Sequence, residues 1–281
     1  MNSAERLSAL LQVPVTSYRG AGAQHGVSHA TATLAGGRKV FVKSGGDFAA
    51  EAAGLRWLAQ ARAVPVPEVL GADSETLVIE WVPPGRSDEK LASRFGAELA
   101  RMHAAGAAGY GAPWPGAIAS LPLDNTVDDG PWHRWYGERR LLPYLHIAFD
   151  RGALSADEVR LVEDVIARIG ELGGPPEPPA RIHGDCWSGN VLWSGGRAWL
   201  IDPAAHGGHR ETDLAMLALF GAPHLERILA AYADVAPLAE GWRQRVPLHQ
   251  LHPLLVHACL FGASYRPEVA AAARAALSAR S

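Results

Sequence analysis

The period of apolar and polar positions changes near residue 82. Over VSHATATLAGGRKVFVK, residues 27–43, two strand-like stretches flank Gly36-Gly37, the pattern of a hairpin. DFAAEAAGLRWLAQAR, residues 47–62, carries Phe48, Ala52, Leu55 and Leu58 at helical spacing. TLVIEWV, residues 76–82, reads as a buried strand that Pro83-Pro84-Gly85 stops. Beyond that break the pattern is mostly helical. Ser87, with Asp88 and Glu89 in the first turn, starts a helix to about His103. Residues 106–131, rich in Gly, Pro and Asp, read as a long surface loop, and WHRWYGERRLLPYLHIAF after them as helix. Ser155 and Glu158 form a capping-box pattern that opens a helix to about Leu172. GGPPEPPA reads as a surface connection, VLWSGGRAWLID as a hairpin, and the remainder as helices, with no internal repeat. The expectation is an α+β chain with its boundary near residues 82–86. Residues 1–82 form a small, mainly antiparallel sheet lobe with one helix, and residues 83–281 a larger, mainly helical lobe.

Composition narrows the class. A chain of 281 residues with 48% hydrophobic content can bury a large core. A net charge of −3 without a basic run excludes nucleic acid as the main partner. No apolar run approaches the roughly 18 residues of a spanning helix, so no membrane association is expected. MNSAERLSALLQVPV is too polar for a signal peptide. Two cysteines, Cys186 and Cys259, fit a reducing, cytoplasmic setting rather than a disulfide scaffold. Only three lysines stand against 23 arginines, as base composition can produce, so a lysine inside an apolar strand is conspicuous.

Three segments carry candidate chemistry. RGAGAQHG, with Gly20, Gly22 and Gly26, could cradle phosphate through backbone N–H groups, or be an ordinary loop. Strand-turn-strand follows it rather than a helix, which excludes a dinucleotide fingerprint, and no Walker GK[ST] is present. Lys43 ends the apolar run VFV. It could pair with nucleotide phosphates, held by Glu51 on the next helix, or simply extend from an edge strand. HGDCWSGN places His183, Asp185 and Asn190 at the H-x-D-x-x-x-x-N spacing that protein kinases use, and Asp202 ends the following hairpin. Phosphoryl transfer needs a carboxylate beside the acceptor hydroxyl and oxygen ligands for Mg²⁺, and this set supplies both. The bland alternative is a capped turn followed by a surface hairpin. His206 and His209, and His249 and His252, form two H-x-x-H pairs, but no cysteine or carboxylate pattern beside them supports a metal site. Trp132, Trp135 and Tyr136 read as packing, as does Cys186.

With these residues in view, the chain resembles the fructosamine kinases, or ketosamine-3-kinases, of the protein-kinase-like group that includes aminoglycoside and choline kinases. VFVK, EAAGLRWL, LVIEW, FGAELARMH, DNT, WYGERRL, HGDCWSGN, LIDPAAHGGHRETDLAMLALFG and the tail from PLAEGW to FGASY carry the likeness over nearly the whole chain. The resemblance implies a two-lobed protein-kinase-like fold and an ATP- and Mg²⁺-dependent kinase. Its substrate would be the 3-hydroxyl of ketosamines (fructosamine, ribulosamine or erythrulosamine adducts), leading to deglycation of amines or proteins. A kinase of another amino sugar, aminoglycoside or small alcohol is the alternative, and a non-catalytic nucleotide-binding module a more distant one. The resemblance also implies residue roles. Asp185 is the base, Asn190 and Asp202 are the Mg²⁺ ligands, and Lys43 is the phosphate lysine with Glu51 as its partner. Gly20, Gly22 and Gly26 form the glycine loop, and Glu80, Trp81 and Val82 the adenine hinge. Trp187 and His257 lie on the substrate side, with His183, Arg210 and Asp213 as support. Two positions depart from the family pattern: Cys186 stands where leucine is usual, and the glycine loop lacks the family's frequent cysteine, so redox control there is not expected.

Overall fold

The computed structural model describes residues 3–24 and 26–279; His25, inside the glycine segment, lies outside them. Period-2 alternation builds the first lobe. Strands β1 (Val15–Gln24), β2 (Val27–Leu34), β3 (Lys39–Ser44), β4 (Val69–Ala72) and β5 (Thr76–Glu80) form one antiparallel sheet in the order β1-β2-β3-β5-β4. Val40, Val42 and Val78 face α1 (Ser3–Leu11), burying Leu7 with Ala30, Ala32 and Leu34. The alternate positions Leu77 and Ile79 join the core around α2 (Ala49–Ala59), with Phe41 packed against it. That alternation sends Lys43 to the α2 side.

The helical lobe contains α3 (Glu89–Ala104), a short hairpin β6 (Gly116–Ile118) and β7 (Leu121–Leu123), and α4 (Trp132–Tyr136), which passes through a π turn into α5 (Leu142–Asp150). Next come α6 (Ala156–Leu172), β8 (Ala180–Ile182), the hairpin β9 (Val191–Ser194) and β10 (Arg197–Leu200), and β11 (His206–Gly208), which pairs with β8. Helices α7 (Arg210–Leu219), α8 (Leu225–Val235), α9 (Trp242–Phe261) and α10 (Arg266–Ser278) complete it. The fold is α+β and protein-kinase-like, an antiparallel sheet lobe on a helical lobe.

Several expectations change in detail. The sheet lobe holds a second helix, α1, whose single buried leucine leaves only a weak periodic signal. The glycine segment is no free loop, since Gly20 and Gly22 pair with Ala30 and His29 across a bulge and Gly26 turns the ribbon at φ +84°. The α3 cap is Asp88, whose carboxylate accepts from the Leu91 N–H at 2.7 Å, and not Ser87. Residues 106–131 are folded: Tyr110 bridges to Asp128, and Ile118, Leu121 and Leu123 are buried. The Ser155–Glu158 capping box and the Gly195-Gly196 hairpin form where expected.

Two seams set the geometry of the site. Helix α2 is fastened to the helical lobe. Arg181 donates to the Trp57 carbonyl at 2.6 Å with its guanidinium over that ring, and Leu200 N–H donates to the Pro65 carbonyl at 3.0 Å. A Cβ at Gly54 would lie 3.1 Å from Ala205 Cβ. The second seam is α3 on α8, where a Cβ at Gly96 would sit 2.1 Å from the Ile228 carbonyl oxygen. Gly96→Ala therefore trades a helix-propensity gain for a backbone clash. The expected net loss is about 1–3 kcal/mol, lowering the thermal midpoint by about 3–10 °C. Thermal unfolding followed by circular dichroism checks this; an unchanged or raised midpoint would contradict the packing.

Candidate functional site

The site is organised by a buried carboxylate. Asp213, in the first turn of α7, is fully buried and accepts from His183 N–H at 2.7 Å and Gly184 N–H at 3.0 Å. His103 of α3 lies 3.1 Å from it through Nε2 and reaches the Tyr232 hydroxyl of α8 at 2.9 Å through Nδ1. Burial pushes the Asp213 carboxyl up, but the hydrogen bond and charge of His103 and the His183 N–H outweigh it and hold the pKa below the usual aspartate value. Gly184 takes φ +81°, where a Cβ would lie 2.2 Å from the Ala204 carbonyl. The chain then turns sharply into Asp185. His183 Nε2–H donates to the Ile201 carbonyl at 2.9 Å, and its Nδ1 accepts from Asp185 N–H at 3.3 Å. His183, predicted as support, thus fixes the start of the turn.

Asn190 closes the turn. Its amide nitrogen donates to the Asp185 carbonyl and to Asp185 Oδ2, both at 2.9 Å. Among the described residues, that leaves Asp185 Oδ1 and Asn190 Oδ1 without a hydrogen-bond donor. The β9–β10 hairpin returns Asp202 to the same place, with Ile201 N–H donating to the Asn190 carbonyl at 3.1 Å. Asp202 adopts φ +53°, a left-handed conformation uncommon outside glycine that stores strain and is typical of functional positions.

Lys43 joins this group from the sheet. Its Nζ lies 2.8 and 3.0 Å from the two Glu51 oxygens and 2.7 Å from Asp202 Oδ1. The ammonium is buried, which opposes its charge, yet Glu51 and Asp202 together raise its pKa above the ordinary lysine value. Two carboxylates share one ammonium, so the trio carries a formal surplus of one negative charge. Asp185 lies beside it. Burial pushes its pKa up, Asn190 opposes this, and the charges of Asp202 and Asp213 add to burial, raising it to about 7. Asn190 Oδ1 and the Asp202 carboxylate are oxygen donors beside a surplus of negative charge, which fits a hard divalent cation.

The other predicted residues fall at different distances from this centre. Glu80 ends β5, and Trp81 and the buried Val82 lead into Pro83. A Cβ at Gly20, Gly22 or Gly26 would meet nothing within 4 Å, so the ribbon is open to solvent there. Trp187 is 38% exposed, its ring lying over Gly189 and edge-on to Phe220 at 5.8 Å. His257 of α9 contacts Phe220 at 5.1 Å. Arg210 grips Glu177 at 2.6 and 2.7 Å and the Ala236 and Pro237 carbonyls, steadying the segment that enters β8. Trp132, Trp135 and Tyr136 are buried, as is Cys186.

One reading of the histidine pairs is corrected. One member of each pair, His209 and His249, meets a carboxylate, Glu211, with ligand atoms within 4.8 Å. Sequence spacing hid this because α7 and α9 come together only in the fold. Arg245, however, holds both Glu211 oxygens at 2.6 and 2.9 Å, which makes the cluster a buried ion-pair network. His103 and Tyr232 also went unassigned from sequence; a histidine on the buried stripe of α3 was the available signal.

Asp213→Asn tests the organising role. It should cost about 2–4 kcal/mol at pH 7, since one N–H acceptor and the charge are lost. The folded pKa lies below the unfolded one. The carboxylate's contribution is therefore complete above the ordinary value near 3.9 and disappears as pH falls through the lower folded value. Urea unfolding at pH 7, 5, 4 and 3 should show the gap between wild type and variant shrinking below about pH 4; a gap independent of pH would contradict the arrangement.

Similarity to known proteins agrees with this geometry. The sequence profile of the fructosamine kinase family matches residues 6–279. A protein of Enterococcus faecium named "Probable ketoamine kinase" is 33% identical over 235 residues, 80% of each chain, and one of Thermus thermophilus with the same description is 34% identical over 220 residues, 78% of this chain and 79% of its own. The crystal structure of a Thermobifida fusca protein provisionally assigned as a fructosamine-3-kinase superposes with a TM-score of 0.94 at 53% identity, covering 98% of both chains. An aminoglycoside phosphotransferase bound to ADP and hygromycin B shares the fold alone, with a TM-score of 0.67 at 14% identity over 98% of this chain and 99% of its own. The chain belongs to the fructosamine kinase family, phosphotransferases built on the protein-kinase-like fold.

Proposed function

We propose that this protein transfers the γ-phosphoryl group of ATP to the 3-hydroxyl of a ketosamine, a sugar-derived ketose carrying an amine at C1. The observation that carries the reading is the convergence of Lys43, Glu51, Asp185, Asn190 and Asp202 at one place where the sheet lobe meets the helical lobe, inside a chain of this family. Lys43 would hold nucleotide phosphates, with Glu51 fixing its ammonium. Gly20, Gly22 and Gly26 let the β1–β2 ribbon come close to those phosphates, and the Glu80–Val82 connection offers backbone groups to adenine. Asp185 Oδ1, left free by Asn190, would accept or direct the proton of the acceptor hydroxyl. Asn190 Oδ1 and Asp202 would hold Mg²⁺, which when bound offsets the charge of the transferring phosphoryl group. Trp187 and His257 face the acceptor side.

A 3-phosphoketosamine is an unstable product that releases the free amine, so the physiological outcome would be deglycation of amines or proteins. Residues 1–82 would serve as the nucleotide lobe and 83–281 as the acceptor lobe. The cytoplasm is the proposed location: among the described residues no helix is long and apolar enough to cross a membrane, and both cysteines are free.

The test is ADP release from purified protein with ATP and Mg²⁺. Ribulose-, erythrulose- and fructose-derived lysine adducts are compared with an aminoglycoside and with no acceptor. Ketosamine-dependent release is expected, with Asp185→Asn lowering kcat by about 10²–10⁴-fold. Turnover on the aminoglycoside alone would replace the acceptor, and an Asp185→Asn protein with wild-type kcat would remove Asp185 as base.

A further inference from the structure

Among the described residues, seven large hydrophobic side chains are conspicuously exposed, and three of them, Trp187, Phe220 and Phe261, belong to one continuous run of rings. The run starts on the turn that carries Asp185. Trp187 N–H donates to the Asp185 carbonyl at 3.0 Å, and the Trp187 ring meets Phe220 at 5.8 Å. Phe220 meets His257 at 5.1 Å, and His257 meets Phe261 at 5.6 Å and Tyr265 at 5.0 Å. Phe220 ends α7, and His257 and Phe261 lie one turn apart on the last stretch of α9. Two helices and the HGD turn thus contribute to a single aromatic wall, with Phe220 37% and Phe261 51% exposed. A contiguous exposed apolar patch marks a surface that binds something, and this one begins on the turn that carries Asp185. The wall carries no formal charge, since burial lowers the His257 pKa and keeps that ring neutral at pH 7.

We propose that Phe220 and Phe261 form an amine-side subsite that selects ketosamines whose amine bears an apolar or ring-containing substituent. The inference rests on the ketosamine reading. With the 3-hydroxyl at Asp185, the two ends of the substrate differ in chemistry. The sugar end can set one CH face on a single ring, but its run of hydroxyls needs donors and acceptors that a longer wall of rings does not supply. The amine end continues into a side chain, apolar in its methylene or ring portion, that stacks on such a wall. Trp187 meets the CH face of the sugar nearest the reacting oxygen; Phe220 lies one ring further along and Phe261 three, beyond His257, where the amine substituent extends. This is a second selectivity element, separate from whatever reads the sugar.

The experiment fixes the sugar and varies the amine: methylamine, butylamine and benzylamine adducts of one ketose, with kcat and KM measured for the whole protein and for Phe220→Ala, Phe261→Ala and Phe261→Trp. Wild type should favour the benzylamine adduct over the methylamine adduct by about 5–10-fold in kcat/KM, through KM, the scale of one good aromatic contact. Either alanine variant should bring that ratio to about twofold or less, and Phe261→Trp should keep it. A wild-type ratio near one, an unchanged ratio in both alanine variants, or equal losses on every adduct would overturn the subsite. So would a wild-type dimer at assay concentrations that Phe261→Ala abolishes, since the wall would then be a subunit interface. Turnover without amine preference removes only this inference; absence of turnover on every adduct removes the ketosamine reading as well.

Discussion

A buried carboxylate, Asp213, is the constraint on which the site depends. An ionised aspartate without solvent is costly unless every oxygen is engaged. Here the oxygens take two consecutive backbone N–H groups, of His183 and Gly184, together with the His103 ring. The first contacts dictate the backbone of the HGD turn, and the last, continued to Tyr232, ties it to α3 and α8. The direction of Asp185 follows from that backbone, from the left-handed Gly184, and from Asn190 bonding back across the turn. Asp185 and Asn190 are therefore placed by a buried group behind the turn.

The second constraint is electrostatic. Lys43 arrives from the sheet lobe and Asp202 from the helical lobe, and their contact at 2.7 Å crosses between them. Glu51 on α2 completes the trio, and α2 is itself pinned to the helical lobe by Arg181 and by the close approach at Gly54. The Lys43–Glu51 pair is thus held in register with Asp202 by packing. The surplus negative charge that results is what a nucleotide's cation would relieve; the Asp185 pKa is raised mainly by burial, with the Asp202 charge adding to it.

Much of this was legible in the sequence because its causes are local. Period-2 alternation at Val40 and Val42 fixes which face Lys43 takes, and a five-residue separation lets Asn190 reach back to Asp185. Two glycines between strand-like runs place Asp202. What escaped depends on contacts between distant segments. The partners of Asp213 lie 30 and 110 positions away, and Glu211 meets His249 and Arg245 only once α7 packs on α9. Helix α1 and strand β4 are short and gain definition from each other: a Cβ at Gly71 of β4 would lie 2.8 Å from Leu11 of α1. The segment 106–131 looked like loop because its glycines and prolines outweigh a few buried apolar positions, and pairing with other segments, such as Gly111 with Gly207, folds it.

On the proposed reading, the site around Lys43 and Asp185 delivers a phosphoryl group to one hydroxyl of a sugar-amine. The most direct measurement is the position of the phosphate in the product. A ketosamine adduct turned over with ATP and Mg²⁺ at low temperature would be examined by phosphorus–proton correlation spectroscopy before it decomposes. Phosphorus coupled to the proton on C3, in a product formed only while ADP accumulates, is the predicted result. Phosphate on another hydroxyl, or ADP accumulating with no phosphorylated sugar-amine, would contradict it.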